Sequence, residues 1–119
     1  MDNRLGTVKI SPQVLATIAR LTALSVPGVV RMSKDLSGGM DRLFRGKGTA
    51  DGVRVGVSDD AVTIDVAIVV AQDANVLELG REIQSRISRA ITEMVGMPVL
   101  AINVRVQDVE RPAPEEADK

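Results

Sequence analysis

The chain has 119 residues, 45% hydrophobic and 26% charged, with a formal net charge of −1, the size and balance of one soluble globular domain with a real core. It holds no Cys, His, Trp or Tyr, and Phe44 is its sole aromatic residue. Thiol nucleophiles, disulfides, the commonest metal ligand and the commonest general base are thereby excluded, and the aromatic platforms and basic footprint of nucleic-acid binders are missing.

Residues 5–10 alternate weakly and suit an edge strand. Ser11 is a good N-cap, and Pro12 falls at the first helical position, where its missing N–H costs nothing. Val14, Leu15, Ile18, Ala19, Leu21 and Thr22 recur at helical spacing, and Pro27-Gly28 ends this helix after Val26. Residues 29–32 make a short strand.

Residues 33–49 read as a loop, longer than a compact domain normally uses for a connection. Met40, Leu43 and Phe44 fall at i, i+3 and i+4, so one helical turn would gather them on one side. Arg42, Arg45 and Lys47 add local positive charge. The combination suits a contact with an anionic or amphipathic protein partner. Gly46-Lys47-Gly48 with Arg42 and Arg45 suggests an anion nest, but the spacing and the Ser/Thr of a phosphate-binding P-loop are absent. A solvated loop explains the same residues.

Val53, Val55 and Val57 alternate, Ser58-Asp59-Asp60 signals a turn, and Val62, Ile64, Val66, Ile68 and Val70 alternate again, which predicts a hairpin. Asp59, Asp60 and Asp65 do not have calcium-loop spacing. Asp73 or Asn75 caps a second helix. Its apolar stripe runs through Val76, Leu79 or Gly80, Ile83, Ile87, Ala90 or Ile91, and Met94, with Glu82 and Arg86 paired on the wet side. Gly96 and Pro98 stop it, and Leu100, Ile102, Val104 and Val106 mark a last strand. On the opposite face of those strands, Ala67, Val69, Ala71, Val99 and Ala101 form an apolar set expected to support self-association into a homo-oligomer.

The predicted architecture is α+β: a single domain with a mixed β-sheet and two helices packed on one face, in the order strand-helix-strand-strand-strand-helix-strand. The domain spans residues 1–110, and residues 111–119, acidic and rich in Pro and Ala, are expected to be a disordered tail. No export leader is expected. The longest apolar runs, about six residues, fall far short of the ~20 that span a bilayer.

Gly6-Thr7-Val8-Lys9-Ile10-Ser11, Ile18-Ala19 and Val26-Pro27-Gly28-Val29 stand in an order that resembles the alkaline shock protein family of Gram-positive-type bacteria. The later pieces are the strand from Val62 to Val70, Ile83-Gln84-Ser85-Arg86-Ile87, Met94-Val95-Gly96 and Val104. The resemblance covers about residues 5–110. It implies a non-enzymatic cytoplasmic protein linked to cell-envelope homeostasis and stress, and the absence of His, Cys and any paired-carboxylate motif adds the expectation of no cofactor and no bound metal. It also implies action through protein partners, among them a membrane-held anchor. A small KH-like RNA-binding domain is the alternative, against which stand the absence of a GxxG loop between two helices and of general basic charge.

Overall fold

A computed structural model describes residues 5–34, 48–59 and 61–111. Two helices lie on one face of a five-stranded mixed sheet, an α+β arrangement. In chain order the elements are α1 (Pro12–Leu24), β1 (Val29–Met32), β2 (Gly48–Ala50), β3 (Val53–Ser58), β4 (Ala61–Ala71), α2 (Val76–Met94) and β5 (Val99–Glu110).

β4 is the axis of the sheet. Its edges are both paired, and it is Val- and Ile-rich because its side chains are buried on both faces. β5 runs parallel along one edge. On the other, β3 pairs antiparallel with residues 61–66 and β1 with residues 68–70. The handover falls at Ala67, whose N–H donates to the Gly52 carbonyl at 2.8 Å and whose carbonyl accepts from Ser33 N–H at 2.9 Å. Gly52 has φ +74, and a Cβ there would lie 2.8 Å from the Ala67 carbonyl oxygen and from Met32 Cβ. Only glycine fits.

Two tight turns make β2-β3-β4 a meander. Asp59 closes the expected hairpin, with φ 53 and Ser58 facing Ala61. Asp51-Gly52 joins Ala50 to Val53, the residue pair that two-residue hairpins favour.

β2 is therefore a strand inside the stretch read as a loop, and Gly48 opens it. A Cβ at Gly48 would collide with the Pro12 carbonyl, so Gly48 serves the close approach of α1. The expected strand at residues 5–10 is not formed: Leu5 is 102% and Val8 90% exposed. The edge beside the start of α1 is already taken, because Gln13 Nε2 donates to the Thr49 carbonyl and Thr49 N–H donates to Gln13 Oε1 at 3.2 Å.

The Ser11 hydroxyl accepts from Val14 N–H at 3.3 Å and caps α1. The helix buries Leu15, Ala16, Ala19 and Ala23, while Val14 and Leu21, expected inside, stand 46% and 55% exposed. Leu15 and these three alanines form the inward face of α1, which leaves Val14 and Leu21 outside it. Asn75 Oδ1 accepts from Glu78 N–H at 3.1 Å and caps α2. Leu79, Ile83, Ile87 and Ile91 are its core stripe, and Val76 and Met94 at its ends are exposed. Glu82 and Arg86 pair as expected, at 2.6 Å.

Candidate interaction surface

With both helices on one face, chemistry on the other is set by β1, β3, β4 and β5. Strand alternation sends Val62, Ile64, Val66, Ile68 and Val70 into the core and Thr63, Asp65, Ala67, Val69 and Ala71 to the back. Arg31 on β1 faces Val69, and on β5 Asp108 faces Val69 and Glu110 faces Ala71. Arg31 Nη2 meets Glu110 Oε2 at 2.7 Å and its Nε donates to Oε1 at 3.4 Å. β1 and β5 flank β4, so this ion pair bridges the central strand on its back face.

The hydrogen bond to Glu110, then the Glu110 charge and the nearby Asp108, raise the Arg31 pKa above its ordinary value. Nearer the hairpin, Asp65 is buried and accepts from Asn103 Nδ2 at 2.8 Å, with the buried Arg54 opposite it in register. The back face thus carries an exposed ion pair at Arg31 and Glu110 and buried polar groups at Asp65 and Arg54.

That geometry changes the expected self-association set. Ala67, Val69 and Ala71 do lie on the back face, but at 0%, 1% and 8% exposure they offer no open apolar patch. Val99 packs against the core instead. The β5 register slips between residues 99 and 101, which throws Leu100 outward at 69% exposure and leaves Ala101 half-buried. The irregularity breaks the alternation from which the set was read.

Met40, Arg42, Leu43, Phe44, Arg45 and Lys47 lie outside the described residues, as do Gly46 and Asp60. Among the described residues no three His, Cys, Asp or Glu side chains are grouped to hold a metal ion. Neither α1 nor α2 runs into a second helix there, so the helix-loop-helix of a KH domain is not found.

The described surface has shallow grooves. One, of about 400 Å³, lies where α1 leads into β1 beside the start of α2 and is edged by Asp73, Glu78 and Glu82. Another, of about 390 Å³, runs between α2 and the outer side of β5. Sequence reasoning missed the second because it joins Leu77 and Gly80, off the core stripe of α2, to a strand about 25 residues later. The exposed Leu77 was its only signal.

The described surface thus combines two helices on one face of the sheet, an ion pair on the other and shallow grooves. Over residues 1–111 the chain matches the alkaline shock protein 23 family, described as having a cell envelope-related function, and it belongs to that family. Similar proteins include YqhY of Bacillus subtilis, 29% identical over 92% of this chain and 81% of the relative. YloU of the same organism is 25% identical over 92% of each. A stress response regulator gls24 homolog of Streptococcus pyogenes is 25% identical over 96% of this chain and 64% of that protein. Among solved structures, the zinc form of a MamM CTD variant aligns with 81% of this chain and 84% of its own, at 17% identity and a TM-score of 0.48.

Proposed function

We propose that this chain is a non-enzymatic module of cell-envelope homeostasis and stress response that works by holding protein partners, one of them anchored in the membrane. The observation that carries this reading is the match to an envelope-related family across residues 1–111. The stress-regulator name of the Streptococcus pyogenes relative supports it. No helix among the described residues is long and apolar enough to cross a membrane.

The partner contact is assigned to residues 40–47 on their sequence pattern. Arg42, Arg45 and Lys47 attract, and Met40, Leu43 and Phe44 bury. Three such side chains contribute roughly 4–8 kcal/mol gross, reduced by the ordering of a glycine-flanked segment. The net is weak, salt-sensitive recruitment.

The test is affinity recovery of the tagged chain from native membranes, beside a variant carrying Leu43→Ser and Phe44→Ser. Loss of a co-purifying membrane protein in the variant, with an unchanged melting temperature, supports the assignment. Equal recovery by both chains removes residues 40–47 from the contact.

A further inference from the structure

β5 is twelve residues long and pairs with β4 on one side only. No strand among the described residues lies along its outer edge, and an edge of that length is a template for another strand unless something blocks it. The opposite edge is blocked at Thr49 by the paired Gln13 amide. On β5, among the described residues, a matching bond runs from Gln84 Nε2 to the Ile102 carbonyl at 3.0 Å. That bond also marks which main-chain groups face outward: those of Ile102 and, by strand alternation, of Val104 and Val106. Beside them, Val104 and Val106 join Val76, Leu77 and Gly80 of α2 in the groove of about 390 Å³, with Arg81 and Gln84 also lining it. Leu77 is 65% exposed, and Gly80 has open space where a Cβ would stand.

We propose that two copies of this chain pair antiparallel through the outer edges of β5, about a twofold axis at Val104. The register follows from three constraints. Paired residues must lie on the same face of the joined sheet. The shifts at 99–101 and 106–108 confine regular pairing to residues 101–106. An axis at Arg105 would set two guanidinium groups against each other.

An axis at Val104 pairs all three residues whose main-chain groups face outward, Ile102, Val104 and Val106, whereas an axis at Asn103 would pair only Ile102 and Val104 within that stretch. Ile102 meets Val106 of the second copy on the helix side, where Leu77 and Gly80 of both copies close over the join. On the back face Arg105 meets Asn103 of the second copy, the residue whose side-chain amide donates to the Asp65 carboxylate, so a cation is set beside an amide that already holds one carboxylate. Gln84 releases Ile102 as the strands join. This pairing stands independently of the envelope reading.

The chain has no Cys, so single-cysteine crosslinking reads the register directly. A Val104 pair would be hydrogen-bonded, with Cα atoms about 5.5 Å apart, inside disulfide range. Under mild oxidation Val104→Cys is expected to give a crosslinked dimer. Leu100→Cys and Val109→Cys, exposed on the same strand, are not, because each would lie more than about 20 Å from its copy.

In sedimentation the unmodified full chain is expected at twice its 12.7 kDa mass. Leu77→Asp, outside the core, should lower dimer affinity at least tenfold while the circular dichroism spectrum remains that of the folded chain. A single-chain mass for the unmodified protein, or crosslinking no faster at residue 104 than at 100 and 109, would overturn the proposal. A crosslinked Val104→Cys dimer with no envelope role in cells would leave it intact.

Discussion

Gln13 pairs with both main-chain groups of Thr49: its side-chain amide donates to the carbonyl and its oxygen accepts the N–H at 3.2 Å. One residue of α1 thereby does for β2 what a neighbouring strand would do. Two net hydrogen bonds contribute about 1–3 kcal/mol. Gln13→Ala is expected to lower the melting temperature by several degrees, at roughly 4–8 °C per kcal/mol for a small domain. Gln13→Glu is expected to lower it further, because a carboxylate oxygen then faces the Thr49 carbonyl. Thermal melts of the three chains at one salt concentration check the order.

Two of the leucines of α1, Leu15 and Leu21, separate core from surface. Leu15 is 0% exposed and Leu21 is 55%. Leu15→Ala is expected to destabilise by about 2–5 kcal/mol, and Leu21→Ala by no more than about 0.5 kcal/mol. Denaturant titration of both variants decides, and equal losses would mean that α1 is rotated from the position described.

Gly52 supports two strands at once through Ala67. Gly52→Ala places a Cβ at φ +74 against backbone, which costs about 1–3 kcal/mol for the dihedral angle alone, before β1 and β3 shift to relieve the contact. The expected result is a larger loss on chemical denaturation than for Gly80→Ala, whose Cβ meets nothing within 4 Å.

These positions also mark how far the chain could be read without its structure. The β3-β4 hairpin, α2 with its stripe Leu79, Ile83, Ile87 and Ile91, and the last strand were legible because alternation and helical spacing are local. The strand at residues 48–50 was signalled by Asp51-Gly52 but hidden by its three-residue length. The expected strand at residues 5–10 has the right pattern and lacks an edge to join, since Gln13 occupies it. The inward face of α1 was misread because it is formed by Leu15 and three alanines, while the larger apolar residues Val14 and Leu21 lie outside it. The back face was misread because its outcome depends on register: Val99 turns inward at a bulge, and Arg31 and Glu110, 79 residues apart, meet across Val69.

Stability is expected to be flat from about pH 6 to about pH 9, because the chain lacks His, Cys and Tyr and only its amino terminus ordinarily titrates there. Arg31 has a raised pKa. A raised folded-state value contributes stability that is present below the unfolded value and is lost only as pH rises through the folded one, far above this window. Melting temperatures at one-unit pH steps check this. A transition centred near pH 8 would make the domain itself a sensor of alkalinity, whereas a flat profile leaves sensing to its partners.

The central claim, an envelope role carried by protein contact, is tested most directly by recovering the tagged chain from gently solubilised membranes of its own cells and identifying what co-purifies. The expected result is a membrane-embedded protein in fixed ratio to the chain, released by raised salt. Recovery of the chain from the soluble fraction alone, with no membrane protein bound at low or high salt, would contradict it.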